Sequence, residues 1–418
     1  MASLGSASVN DSEAQHASLP EAQGRVALVS LTSLFFIWGF ITAMNDILIP
    51  HLKGVFDLTY FQAMLVQFCF FGAYFIVSIP AGYIVSKLGY KGGIALGLVS
   101  AAAGCVLFVP SAKLELYWMF LLGLFVLASG ITILQVAANP LVTLIGKPET
   151  ASSRLNMTQA FNSLGTTLAP IIGGILIFGS MESESDSHSV ETVILPYLTL
   201  AAILVLLALL SKFVALPQQS SSENQSADIK SERKSLADYK HLILGAVGIF
   251  VYVGAEVSVG SFLISFLGEE HIAGMSEAQA AQYVTYFWGG AMVGRFAGAF
   301  LMQIVKANRL LAINSVAAMI LLASAILGSG QFAMWALLLT GLCNSIMFPT
   351  IFSLGIAKLG GDTSRGSGLL CLAIVGGAII PVFQGLLADA NSVQSSFILP
   401  LICYLFIAFY GVKGYRPQ

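Results

Sequence analysis

A chain of 418 residues that is 57 % hydrophobic and only 10 % charged falls outside the ordinary soluble class, where about a quarter of residues are charged. It reads as an integral membrane protein whose spans, joined by short loops, leave no chain for a soluble catalytic domain. The net charge of −2 says little, whereas the placement of the positive charges says much.

A helix needs about 20 apolar residues to cross the hydrocarbon. Twelve stretches supply them: 26–50, 60–86, 92–110, 116–144, 153–178, 192–213, 241–267, 279–303, 309–328, 331–357, 366–388 and 395–412. Residues 1–25 are Ser, Ala and acidic without a basic segment leading an apolar core, which predicts a disordered cytoplasmic tail and no signal peptide. The first span, LTSLFFIWGFITAMNDILIP, carries Asn45 and Asp46 in an otherwise apolar run. A charge at mid-membrane costs roughly 2.5 to 3.5 kcal/mol on insertion scales, so such a residue faces a bundle interior and marks an ion or substrate path. Trp38, Thr42 and Asn45 or Asp46 recur at helical spacing along one stripe.

The polar run at 214–240 is the longest between spans and reads as a cytoplasmic linker between two halves, 26–213 and 241–413, with 414–418 as a second tail. The halves are similar. Arg154, Pro170 and Gly174 find Arg365, Pro381 and Gly385 at one constant offset, and Gln135 and Asn344 stand equally far before Pro140 and Pro349. Such internal repeats are the pattern of secondary transporters, where substrate binds near the midplane between halves. With both termini cytoplasmic, all Lys and Arg except Lys53 and Lys113 fall on the cytoplasmic side or on helix ends facing it, and the positive-inside rule sets that orientation. The two longest external loops carry no Lys or Arg and hold acids instead, Glu182, Glu184, Asp186 and Glu191, then Glu269, Glu270 and Glu277. The five cysteines lie within spans and read as small packing residues. Arg295 reads as an interfacial anchor that snorkels to the cytoplasmic side.

The polar residues inside spans are few. They are Thr42, Asn45 and Asp46, then Gln135 and Asn139, then Asn156, Gln159 and Asn162, then Tyr252 and Glu256, and Asn344. Amides and carboxylates beside aromatic rings (Trp38, Tyr252, Trp288, Phe348) are what a polyol needs, since each hydroxyl both donates and accepts and the C–H face of a sugar packs on a ring. Amide bridges between helices account for some of these residues equally well. A membrane-embedded enzyme would need a nucleophile with a base, or a metal cluster, and neither is present in the pattern. A drug exporter would show fewer amides.

Between the second and third spans, GYIVSKLGYKGG resembles a loop motif of the major facilitator superfamily, with Ser86 where that motif usually has Asp. The runs NDILIP, QVAANP, RLNMTQAFNSLG and YVGAEVSVGSFL resemble the fucose, glucose and galactose permease family of that superfamily, over nearly the whole chain. The resemblance implies an all-α membrane protein of twelve helices in two pseudo-symmetric six-helix bundles. It also implies a cavity lined mainly by the first, fourth, seventh and tenth spans, and cation-driven sugar uptake. Fucose-branch members usually carry Glu at the position of Gln135 and lack an acid at that of Glu256, which leans the substrate towards glucose or galactose.

The expectation is therefore a symporter, not an enzyme, in a plasma (bacterial inner) membrane, needing no cofactor beyond a coupling ion, Na⁺ or alternatively H⁺. Asp46 is expected to hold the cation with Asn45, Thr42 and Asn139 completing an oxygen shell. Gln135, Gln159, Asn162, Glu256, Tyr252, Trp38, Trp288 and Asn344 are expected to hold the sugar. Partners are expected to be the monosaccharide, the cation and the bilayer, with no nucleic acid, and the protein a monomer.

Overall fold

The computed structural model describes residues 21–56, 60–178, 194–211, 213 and 235–417. The expected tail up to residue 20, the acids at 182–191 and the linker over 214–234 lie outside the described residues. Every long element is a helix: α1 (Glu21–Val55), α2 (Tyr60–Lys113), α3 (Tyr117–Leu144), α4 (Ala151–Phe178), α5 (Ile194–Leu210), α6 (Lys240–Gly268), α7 (Glu277–Leu301) and α8 (Ala307–Leu327). There follow α9 (Gly330–Asn344), α10 (Met347–Gly355), α11 (Thr363–Leu372), α12 (Gly376–Ala390), α13 (Val393–Ser396) and α14 (Ile398–Phe409). Among the described residues, eight helical stretches are long and apolar enough to cross a membrane. Phe68, Ile76, Leu195, Phe332 and Leu405 are exposed on outer faces, a surface that lipid solvates and water does not.

One apolar stretch, Phe68–Lys113, has 46 residues, about 69 Å at 1.5 Å per residue, or twice a hydrocarbon core of about 30 Å. It does not continue as one rod. Gly89 has φ 71° and ψ 169°, a conformation that only glycine adopts without strain, and the chain turns there between the two spans expected from the sequence. The opposite departure occurs at α1, which begins before the expected residue 26 and continues through Pro50 to Val55. A proline costs a helix one backbone bond, and neighbouring helices tolerate the kink it introduces.

The expected tenth span is interrupted between α9 and α10 at Ser345 and Ile346. Pro349 is the reason: it has no N–H to offer the carbonyl four residues back, that of Ser345. The same rule applies to Pro140 in α3, which frees the Val136 carbonyl. Both carbonyls find distant donors. Ser367 Oγ on α11 donates to Val136 O at 2.9 Å, and Arg295 Nε on α7 donates to Ser345 O at 3.1 Å.

α1 lies against α4, and α2 packs on α3 and α5; α6 packs on α10, α12 and α14, and α9 on α7 and α8. Between helices on either side of residues 214–234, α4 meets α7 and α10, while α11 meets α2 and α3. Several of these contacts cluster near the Gly89 turn and the start of α4. Ser152 and Ser353 share a hydrogen bond of 2.7 Å, Ser153 Oγ donates to Ala299 O at 2.6 Å, and the Arg365 guanidinium sits over the Tyr83 ring at 5.5 Å.

Candidate functional site

Trp38, Tyr74, Gln135 and Gln159 from α1–α4 converge with Tyr252, Val253, Glu256, Arg295, Phe348, Pro349 and Ile374 around a cavity of about 150 Å³. Amide groups come from α3 and α4 and charged groups from α6 and α7. The residues arrive there for local reasons. Gln135 and Gln159 are buried on α3 and α4, Tyr252 and Glu256 lie one turn apart on α6, and Phe348 and Pro349 follow the break that Pro349 itself creates.

The hydrogen bonding of the cavity is incomplete. The Gln135 amide donates to the Tyr74 hydroxyl. Gln159 Nε2 has no partner among the described residues, and neither has Glu256 Oε1. Arg295 Nη2 stands 3.7 Å from Glu256 Oε1, an ion pair too long to be a hydrogen bond. Burying two charges costs several kcal/mol per ion unless further hydrogen bonds satisfy them, so this pair has capacity for a polar guest. Arg295 also donates to Ser163 Oγ on α4 and, through Nε, to the freed Ser345 carbonyl. One guanidinium thus ties α4, α6 and the α9–α10 break together. The expectation of an interfacial, snorkelling Arg295 is overturned: its side chain points into the bundle.

Other expected residues fall nearby or apart. Asn344 does not line the cavity: its backbone carbonyl accepts from Tyr252 OH at 3.1 Å, and its Oδ1 accepts from Tyr404 OH at 2.6 Å. It holds Tyr252 in place. Asn162 donates to the Phe35 carbonyl at 2.8 Å across the α1–α4 contact, where Gly39 leaves no room for a Cβ because the Asn162 carbonyl occupies that space. Trp288 stands half exposed on α7 against Gly260 and is not a wall of the cavity. The rings that do face it are Trp38, Tyr74, Tyr252 and Phe348. Asn139 is fully buried with both amide ends unpartnered, and the Thr42 hydroxyl donates to Trp38 O at 2.9 Å. The Asn45 and Asp46 side chains lie outside the described residues. No group of three His, Cys, Asp or Glu suited to a metal occurs among the described residues.

Sequence reasoning missed Tyr74 and misplaced Arg295. For Tyr74 no signal existed, since it is one aromatic ring among many on α2. For Arg295 a signal did exist: Gln303, the next polar residue, lies eight positions on, about 12 Å along a helix and beyond the reach of a snorkelling side chain.

The sequence profile described as Major Facilitator Superfamily matches residues 29–373. The chain belongs to that superfamily. Within it the chain is a member of the fucose, glucose and galactose permease family. It is 57 % identical over 388 residues to a protein of Brucella abortus named Glucose/galactose transporter, covering 93 % of this chain and 94 % of the other. It is 37 % identical over 396 residues to the L-fucose-proton symporter of Escherichia coli, covering 90 % of each. The crystal structure of a major facilitator transporter, FucP, in the outward conformation superimposes with a TM-score of 0.82 at 34 % identity, over 93 % of this chain and 98 % of that one. Proteins of this superfamily are transporters, and the present chain is a membrane transporter and not an enzyme.

Proposed function

We propose that this facilitator is a secondary active permease that carries a monosaccharide, glucose or galactose, inward with one cation. The observation that carries the reading is the half-satisfied polar set of Glu256, Arg295 and Gln159 facing aromatic rings across one cavity. A sugar hydroxyl can donate to Glu256 and accept from Gln159, and the apolar face of the ring can lie on Trp38 or Phe348. The name of the Brucella relative supports glucose or galactose over other polyols.

The architecture we propose is twelve spans in two pseudo-symmetric halves, 26–213 and 241–413, joined by 214–240. The two arms of α2 count as two spans, and α9 with α10, α11 with α12 and α13 with α14 as one each. Reciprocal contacts support the repeat: α4 meets α7 as α11 meets α2. The protein is a monomer in a bacterial inner membrane with both termini cytoplasmic. The serine and Tyr83–Arg365 contacts then seal the cytoplasmic end, an outward-facing arrangement.

Sugar engaging Glu256 competes with Arg295 for that carboxylate, so sugar binding weakens the tie that Arg295 makes between α7 and α6. Asp46 holds the coupling cation, with oxygen atoms of Asn45, Thr42 and Asn139 beside it. Na⁺ is the first assignment and H⁺ the second, the latter favoured by the name of the E. coli relative. Each charge crossing 100 mV contributes about 2.3 kcal/mol, enough for roughly fiftyfold accumulation. Uptake of labelled galactose into proteoliposomes, driven by a Na⁺ gradient or separately by a pH gradient, tests the assignment. Accumulation under one gradient and not the other identifies the ion, and accumulation under neither refutes symport.

A further inference from the structure

A second cavity, of about 460 Å³, opens between the start of α8 and the turn that follows α14, and shares no lining residue with the polar site. Lys306, Arg309 and Arg416 line it together with Asn308, Gly411 and Ile313. Among the described residues none of these three cations has a hydrogen-bond or ion-pair partner for its side chain. Among the described residues no carboxylate forms an ion pair with any of the three, and the sequence holds no Asp or Glu between Glu277 and Asp362 or beyond Asp389.

The cavity is built by specific backbone contacts. Asn308 Nδ2 donates to Gly411 O at 3.1 Å, and a Cβ on Gly411 would come within 3.0 Å of the Ala312 nitrogen and the Asn308 oxygen. After Phe409 the chain widens into a π-helical turn, Tyr410–Gly414, in which Tyr415 N–H donates to Tyr410 O at 3.0 Å. That turn packs on α8 and delivers Arg416 beside Arg309. Ile313 and Val412 line the cavity and are 59 and 61 % exposed. The positive-inside rule needs only cations near the membrane surface; convergence of three unpaired ones on one walled cavity with an apolar flank is a further property.

We propose that this cavity binds a phosphate-bearing anion, and that the apolar flank makes an anionic phospholipid its carrier. The three cations would grip the headgroup phosphate while the acyl chains run along Ile313 and Val412. Inorganic phosphate shares the headgroup chemistry but leaves the flank unused.

The test is native mass spectrometry of the full chain in detergent, titrated with phosphatidylglycerol, with phosphatidylcholine, and with inorganic phosphate. Each cation near an anionic lipid contributes about a fivefold factor. The triple variant Lys306→Ala, Arg309→Ala, Arg416→Ala should therefore lose roughly a hundredfold in phosphatidylglycerol affinity. The variant Lys87→Ala, Lys147→Ala, Lys240→Ala, which removes the same charge elsewhere on that end, should lose little. Arg309→Glu alone, a change at one exposed side chain, covers the case of a triple variant that does not fold, and should lose more than a single cation's share. Equal losses in the two triple variants, or equal retention of phosphatidylcholine, would overturn the site. Retention of inorganic phosphate with the same dependence on the three cations, and no retention of phosphatidylglycerol, would overturn the lipid and leave a soluble-phosphate site.

Discussion

Arg295 engages a hydroxyl, a carboxylate and a backbone carbonyl on three different helical segments, so its removal leaves Glu256 as a buried charge without compensation. Arg295→Met is expected to destabilise the protein by about 3 to 5 kcal/mol. The same change in a Glu256→Gln background should cost clearly less, and thermal unfolding of the two single variants and the double variant measures the difference. Additive losses would show that the ion pair has no energetic coupling. Tyr404 presents a simpler case. Its hydroxyl donates to Asn344 Oδ1 at 2.6 Å in a fully buried setting, and Tyr404→Phe leaves that amide oxygen unpaired at a cost of about 1 to 3 kcal/mol. Because Asn344 positions Tyr252, the variant should also weaken sugar binding, and an unaltered unfolding midpoint would speak against the role given to Asn344.

At the scale of the helix, Pro349 and Pro140 act by what they do not donate. Pro349→Ala restores an N–H that competes with Arg295 for the Ser345 carbonyl, and the α9–α10 break should close towards a continuous helix. A hydrogen bond is worth about 0.5 to 1.5 kcal/mol net, so turnover is expected to fall by up to about tenfold while equilibrium sugar binding is retained. Stopped-flow uptake compared with equilibrium binding separates the two, and an unchanged turnover would show that the break plays no part in the transport cycle. The helices themselves were legible in the sequence because a bilayer imposes one length and one polarity on every span. The loop motif GYIVSKLGYKGG, which contains Gly89, falls where α2 splits. The interruption at Ser345 was not legible. A proline announces a freed carbonyl, yet only the fold reveals whether a donor such as Arg295 stands opposite. Trp288 shows the converse limit: helical spacing assigns it to a face of α7 but does not say whether that face meets the cavity or lipid.

For the whole molecule, the two halves proposed above touch where the Ser152 and Ser353 hydroxyls form a hydrogen bond of 2.7 Å. If the halves rock, that contact must open in every cycle. Ser152→Cys with Ser353→Cys, in a background free of the five native cysteines, should form a disulfide because the paired side chains already meet at bonding range. Oxidation is expected to stop uptake and leave sugar binding intact, with a reductant restoring transport; continued uptake with the bond formed would refute rocking at this contact. The most direct test concerns the cavity between the halves. Calorimetric titration of galactose and glucose into the purified protein should show binding by the wild type. Gln159→Ala is expected to weaken it by about 1 to 3 kcal/mol, and Glu256→Gln to weaken it as well, since a neutral amide replaces the charged acceptor. Wild-type affinity in both variants would contradict the placement of the sugar beside Glu256, Arg295 and Gln159.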